Sequence, residues 1–568
     1  MPHTDLDRLE ALLRRIDGRP YPAYRDLRGT WDLEDIVLRV DHVQGDPFAA
    51  PSRLRVRLQT GIGEDIVSDP IARMAAEDWL LRRFVTDLRG RDRGSGKSGA
   101  LQALRPGPEV VERSAVRLLR TDPGVAEVRF WAGLPARGRR ILGRQAFELL
   151  MHDIPDAAER LVDVGEDAAL AAHIESVQVQ HDLRDALREQ GLVAFVADGA
   201  VLPRKSGVDT RPLPDAVPFE SPPELRVTLE TRVGPVVGMG IPTGVTVVTG
   251  GGFHGKSTLL QALQWGHVDH VPGDGRERVV ADPDTVKVRA EDGRRVEKVD
   301  VSGFLADLPG GRTTRPLSTD DASGSTSQAA ALVEAMESGA RVLLLDEDTC
   351  ATNLMVRDDR MRALIGSDRE PITPLVERIR ALFAEKGVST VLVVGGVGDY
   401  LAVADRVVLM DAWRPRDVTE QARELAGPMP EAVRPLEVPL RRVPEPESLI
   451  PTGKGRIRAR DGRRVEYGRT EIDLGAVEQL ATGDAARSAG LALRLLADGI
   501  VDGERDVPAA LDALDALLKA EGVDVLSPFE TPVGDLVAVR RHEVAACLNR
   551  LRTLVVGVPG AGVVGTSR

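Results

Sequence analysis

Residues Gly250-Gly251-Gly252-Phe253-His254-Gly255-Lys256-Ser257 fit the pattern G-x-x-x-x-G-K-[ST] without a mismatch. No other stretch restricts the fold so strongly, because such a loop has to hang between a buried strand and the first turn of a helix. Both flanks comply. Val245-Thr246-Val247-Val248-Thr249 is a β-branched run, and Thr258-Leu259-Leu260-Gln261-Ala262-Leu263 reads as a helix. Glycines let the backbone curl so that successive N–H groups converge on phosphate oxygens, and the helix N-terminus adds partial positive charge. On this reading Gly250, Gly251, Gly252, Gly255 and Thr258 cradle phosphates. Lys256 reaches the β and γ phosphates of a nucleotide, and Ser257 ligates Mg²⁺. A glycine-rich turn that binds nothing would not need the matching flanks.

Downstream, Arg341-Val342-Leu343-Leu344-Leu345-Asp346-Glu347 is an apolar strand ending in two acids. In P-loop enzymes an Asp at such a strand tip holds Mg²⁺, which assigns Asp346 as a metal ligand. Glu347 right after it suits general-base work on an attacking water. Between the two motifs lies Ala322-Ser323-Gly324-Ser325-Thr326-Ser327-Gln328, followed by an alanine-rich helical run and ending 18 residues before Asp346. A hydroxyl-rich turn entering a helix is a second anion site. Alone it reads equally as a flexible loop; its place between the other two motifs gives it weight.

The order and spacing of the three motifs resemble the ABC-class ATPases. The chain as a whole resembles the "predicted ATPase of the ABC class" proteins, which lack a transporter membrane domain. The likeness rests on Gly250–Leu263, Ala322–Ala330, Asp346–Asn353, Glu370–Pro374 and Val393–Tyr400. It extends to Asp46–Arg53 and Leu192–Ala200 upstream, and to Ile472–Leu474 and Leu548–Arg552 near the end. The resemblance implies a homodimer in which ATP, held with Mg²⁺ by Lys256 of one subunit, is closed over by Ser323, Gly324, Ser325 and Gln328 of the other. It also carries an association with RNA. Three positions depart from the usual ABC pattern: Asp348-Thr349 where Pro-Thr is usual, Asn353 at the D-loop aspartate, and Gly395-Gly396 where a switch histidine contacts the γ-phosphate.

The 568 residues exceed one core, so two to four domains are expected. The expected fold class is α/β: an ABC-type P-loop NTPase core with a mainly parallel sheet, an α+β N-terminal region, and a smaller mixed, largely helical C-terminal domain. The proposed boundaries are 1–220, 221–435 and 436–568, with proline-rich linkers over 203–223 and Gly427–Pro451. Two cysteines, Cys350 and Cys547, make no disulfide framework and fit a reducing cytosol. Cys350, just after the acidic pair, reads as a packing residue. The first residues hold no apolar signal core, and no apolar run, including the short tail Leu554–Val564, is long enough for a bilayer. The expectation is a cytoplasmic protein without a membrane partner.

A net charge of −13 argues against an overall nucleic-acid glove, yet residues 51–150 hold 19 Lys+Arg against 12 Asp+Glu. Leu54–Leu58 alternates as a half-buried strand, with Arg53, Arg55 and Arg57 on one face. Arg89–Gly99 and Ala136–Arg140 are basic turns. Either they touch phosphates or they are ordinary solvated loops; both readings stay open. The Gly-Lys-Ser at 96–98 follows charged residues rather than a strand and is no second phosphate loop.

Several other constellations fall short. His267, His270 and Asp274 have ligand-like spacing, but Pro272 ends any helix and no third strong ligand follows. Phe219 lies where an adenine-stacking aromatic falls in ABC ATPases, although a core role fits it better. Few aromatics are present for base stacking on a single strand.

The functional expectation is therefore an ATPase whose nucleotide state gates binding of RNA or another nucleic acid. The alternative is a nucleotide-gated protein-binding scaffold with very slow hydrolysis, which the missing switch histidine favours. A transporter subunit is a third reading, opposed by the large flanking regions.

Overall fold

The computed structural model describes residues 5–306, 313–356, 371–427, 436, 440–480 and 482–559. Glu370, part of the Gly427–Pro451 linker and residues 560–564 of the apolar tail lie outside the described residues.

Three apolar runs of the sequence become buried strands: Val245–Thr249 (β1), Val342–Asp346 (β3) and Ser389–Val393 (β4). A strand covered on both faces carries a continuous apolar run rather than an alternating one, and these read VTVVT, VLLLD and STVLV. With Thr285–Lys287 (β2), Arg406–Asp411 (β5) and Arg414–Asp417 (β6) they build a six-stranded sheet in the order β2-β3-β4-β1-β5-β6. The first four ladders are parallel and the β5/β6 edge is an antiparallel hairpin.

Three helices cover this sheet: Lys256–Trp265 (α1), Gly324–Glu337 (α2) and Ile379–Lys386 (α3). On one face Leu259, Leu260 and Leu263 of α1 share a core with Val248, Leu344 and Val393. On the other, Ala329 and Leu332 of α2 and Ile379 and Leu382 of α3 join Val247, Leu345 and Leu392. Each such aliphatic side chain taken out of water contributes about 1.5–3 kcal/mol, so the two faces anchor the sheet firmly.

The expectation of a mainly parallel sheet does not extend beyond this layer. A four-stranded antiparallel sheet, in the order Arg226–Thr231, Gly234–Pro242, Leu192–Ala197, Val279–Ala281, precedes and flanks the phosphate loop. Ile457–Ala459, Arg464–Tyr467 and Thr470–Asp473 form an antiparallel meander. Helices Gly483–Leu495 and Arg541–Arg550 follow it. P-loop architecture with α/β content is thus combined with sheets that are largely antiparallel.

By contacts the chain divides into two compact units, Met1–Gln178 with Glu521–Ala538, and Val179–Ala520 with Val539–Arg568. The first holds a six-stranded antiparallel sheet built around Ser52–Gln59 and Val125–Ala132. Its helix Pro70–Asp87 starts where the sequence can cap it. The Asp69 carboxylate accepts from the Ile71 and Ala72 N–H groups, and Pro70 takes the first position, where no N–H is needed.

The arginines of Ser52–Gln59 do not form an open basic face. Arg55 is buried and donates to Asp41 at 2.6 and 2.8 Å and to Glu127 at 2.7 Å. Arg57 and Arg129 also bind Glu127. Burial alone would raise the Glu127 carboxyl; Arg129 and Arg55 beside it hold it below the ordinary range instead. Arg53 lies over the Phe529 ring at 4.5 Å. Alternation located the strand correctly but could not show that acids from neighbouring strands neutralise its polar face.

Candidate nucleotide site

The parallel ladders align the strand ends at one edge of the sheet. Val248 of β1 pairs with Val393 of β4, and Asp346 of β3 pairs with the same Val393. The residues just past these pairs therefore emerge at one level, although about 150 positions separate them in sequence. Open α/β sheets bind ligands at this carboxyl edge.

The phosphate loop leaves β1 here. Two of its glycines are sterically required. Gly250 has φ +137°, and a Cβ on it would lie 2.3 Å from the Met410 carbonyl oxygen. Gly255 has φ +99°, and its Cβ would meet the Trp413 ring at 2.8 Å. Gly251 and Gly252 have more room. Lys256 Nζ donates to the Gly250 and Gly251 carbonyls at 2.7 and 2.8 Å, so the cation is aimed back along the loop. Ser257 is exposed in the first turn of α1, and Thr258 is half-buried beside it.

Asp346 ends β3 nearly buried, and one of its carboxylate oxygens accepts from the Asp348 N–H at 3.2 Å. Glu347 turns toward the neighbouring strand. Its carboxylate accepts from the Gly395 N–H at 2.6 Å and the Gly396 N–H at 3.2 Å. Sequence reasoning recorded these glycines only as a missing histidine. The signal it passed over is that two consecutive residues without side chains follow a buried strand, leaving their amides open to a neighbour.

The signature segment sits at the start of α2. Ser323 is exposed, and its hydroxyl pairs with Thr326 at 3.1 Å. Gly324 is half-buried. Ser325 and Gln328 face inward instead. The Ser325 hydroxyl donates to Asn353 at 2.6 Å. Gln328 is fully buried; it accepts from the Ala351 N–H at 2.7 Å and donates to Met355 Sδ. Their polar atoms tie the signature to the segment after Asp346. This also gives Asn353, the departure at the D-loop, a partner within its own chain.

Phe219 is 3% exposed within the core that contains α1 and does not present a ring to a base. His270 pairs with Asp274 at 2.8 Å, while His267 Nδ1 lies 2.9 Å from the Gln264 carbonyl. Among the described residues no group of three or more His, Cys, Asp or Glu is arranged to hold a metal ion. Burial pushes the Cys350 thiol up to about 12, in keeping with a packing residue. The two basic turns meet: Ser95 N–H donates to the Ala136 carbonyl at 2.7 Å, and Gly138 N–H donates to Ser95 Oγ at 2.8 Å. Arg91, Lys97, Arg137 and Arg139 are exposed around this seam; Arg93 pairs with Asp153 at 2.6 Å, and Arg91 lies 3.8 Å from the same carboxylate.

A phosphate loop, a strand-tip acid pair and a signature helix on one carboxyl edge are the arrangement of the P-loop ATPase fold. Two family models agree and cover most of the chain. One, described as the P-loop domain of the ABC ATPases, matches residues 166–439; the other, described as the N-terminal part of ATPases of the ABC class, matches residues 6–164. The chain belongs to the ABC-class ATPases.

A third model, described as the MRB1590 C-terminal domain, matches residues 456–557. The chain is 32% identical over 243 residues to the uncharacterized protein MJ1628 of Methanocaldococcus jannaschii, covering 41% of this chain and 53% of that protein. It thus spans about half the length of the curated relative it matches. Among solved structures, the ADP conformation of MJ1267, an ATP-binding cassette of an ABC transporter, is 12% identical with a TM-score of 0.23, over 35% of this chain and 92% of that one. CbiO1 from Clostridium perfringens, part of the transporter complex cbiONQ, is 15% identical with a TM-score of 0.23, over 40% and 87%. No helix among the described residues is long and apolar enough to cross a membrane.

Proposed function

We propose that this chain binds ATP with Mg²⁺ at the carboxyl edge of the six-stranded sheet and hydrolyses it. The observation that carries the reading is the placement of Asp346 and Glu347 at the same sheet edge as the phosphate loop, with one strand, β4, between them. Lys256 and the loop amides hold the phosphates. The exposed Ser257 hydroxyl and the Asp346 carboxylate are hard oxygen donors, and they suit Mg²⁺, which takes few protein ligands and keeps phosphate and water oxygens. Bound there, the ion offsets charge on the phosphate oxygens.

Glu347 takes the proton of the attacking water. Both amides bind the same oxygen, Oε2, which leaves Oε1 to accept that proton. Ser323 and Gly324, the outward part of the signature, suit closure on the nucleotide of a second copy, so ATP is sandwiched in a homodimer and hydrolysis releases it. Phosphate release by the wild type, Lys256→Ala and Glu347→Gln tests this. Loss of turnover in both variants, with ATP-dependent dimers of Glu347→Gln at micromolar concentration, is expected. A Glu347→Gln variant that stays monomeric with ATP would overturn the sandwich.

Nucleotide state then gates a polyanion, RNA or another nucleic acid, bound around the seam of Arg91, Lys97, Arg137 and Arg139. Titration of a labelled RNA 20-mer and a DNA duplex at two salt concentrations, without nucleotide, with ADP, and with ATP on Glu347→Gln, tests it. A second reading, a protein-binding scaffold with very slow turnover, is favoured by the Glu347 carboxylate being held on Gly395 and Gly396. Turnover by the wild type no faster than by Glu347→Gln would decide for it.

A further inference from the structure

The hairpin between β5 and β6 turns on two residues, Ala412 and Trp413. Both have positive φ, +46° and +65°. Two-residue hairpin loops with positive φ at both positions favour Asn and Gly, because other side chains crowd their own backbone there. Alanine and tryptophan are poor choices for such a turn, and strain of this kind persists where surrounding contacts impose it.

Those contacts come from the phosphate loop. The Ala412 N–H donates to His254 Nδ1 at 3.0 Å, and the Trp413 N–H donates to the His254 carbonyl at 3.1 Å. The same Nδ1 lies 3.2 Å from the Asp411 carboxylate. The Trp413 ring itself lies over Gly255, where any side chain would collide with it. At the other end of the turn Arg414 pairs with Glu220. The turn is thus held on three sides, and its one large side chain remains 46% exposed next to the loop that ends in Lys256. Phe219, for which a core role is the favoured reading of the sequence, is buried.

We infer that Trp413 is the platform on which the base of the bound nucleotide stacks. The inference rests on the reading of Gly250–Ser257 as a nucleotide-phosphate loop. An indole supplies a flat π-face, and base–aromatic stacking is insensitive to which base it meets. His254 is then a positioning residue that locks the platform to the loop, so that base and phosphates are held at a set separation. Phe253, 99% exposed at the crest of the same loop, is the competing aromatic.

The test is calorimetric titration with Mg·ATP and with Mg·tripolyphosphate, which has phosphates but no base. It uses the full-length wild type and the Trp413→Ala, Trp413→Phe and Phe253→Ala variants. Trp413→Ala should weaken ATP by roughly 5- to 150-fold and leave tripolyphosphate unchanged. Trp413→Phe should keep most of the ATP affinity, and Phe253→Ala all of it. ATP affinity unchanged in Trp413→Ala, an equal loss for both ligands, or a loss confined to Phe253→Ala would overturn the assignment. A wild type that binds neither ligand would overturn the phosphate-loop reading, and this inference with it.

Discussion

The Glu347 carboxylate lies 2.6 Å from the amide nitrogen of Gly395 and accepts its hydrogen bond. The acid comes from the tip of β3 and the amide from just past β4, and the ladder between those strands sets both at one height. In this chain, main-chain donors hold that carboxylate.

Glu347→Gln is expected to slow phosphate release by roughly 10²- to 10⁴-fold, the usual worth of a general base. Glutamine still accepts from the Gly395 amide, so the fold and ATP binding should persist. Single-turnover phosphate release with a parallel binding titration checks this; an unchanged rate would remove Glu347 from the chemistry.

Gln328→Ala should act on stability before it acts on nucleotide affinity. Its amide oxygen accepts from the half-buried Ala351 N–H, and truncation strands that donor. The loss is expected to be about 2–3 kcal/mol, seen as a lower denaturation midpoint. Unchanged stability with weakened ATP binding would restore the direct ligand role expected from sequence.

Arg55→Ala and the double change of Arg137 and Arg139 to Ala should separate structure from binding in the N-terminal unit. Arg55 is buried between Asp41 and Glu127, so its removal should cost about 3–5 kcal/mol. Arg137 and Arg139 are exposed, so their loss should shift stability by no more than about 0.5 kcal/mol. It should, however, flatten the salt dependence of polyanion binding. Chemical denaturation and salt titrations distinguish the two.

Glu77 makes stability depend on pH. Burial holds its carboxyl up to about 7 from an ordinary 4.5, against the lowering pull of Arg117. A raised folded-state value means that the folded chain binds the proton more tightly. The contribution is therefore fully present below about 4.5 and is lost as pH rises through 7. Glu77→Gln, which cannot ionise, should gain about 2–3 kcal/mol on the wild type between pH 5 and pH 8. Denaturation midpoints at the two pH values give the answer; parallel shifts in both proteins would refute it.

Both thiols should be inert in the native state. Burial pushes Cys350 and Cys547 up to about 12, so little thiolate exists at pH 8. An aromatic disulfide reagent should react with both only after unfolding. Fast reaction of the native protein would mean that the segment after Asp346 opens.

Local chemistry carried the central reading. The phosphate loop was evident because its glycines, its lysine and its flanks are consecutive, and a strand–loop–helix unit forms from neighbours in sequence. Apolar runs found β1, β3 and β4 for the same reason, since burial on both faces leaves a mark within five residues. The alternating pattern of Ser52–Gln59 located a strand but misjudged its polar face, because Asp41 and Glu127 arrive from other strands.

The remaining features depend on pairs far apart in the chain. Nothing near Glu347 in sequence announces that its carboxylate meets Gly395. Nothing near Gln328 says that its amide meets Ala351, and nothing near Gly255 places Trp413 over it. Residue type and spacing settle which groups are capable of holding phosphate, a cation or a proton, because those capacities belong to side chains and short backbone turns. Which groups are left open to do so is settled by strand order and register, which bring separate strand ends to one edge and let neighbouring donors and acceptors satisfy one another first.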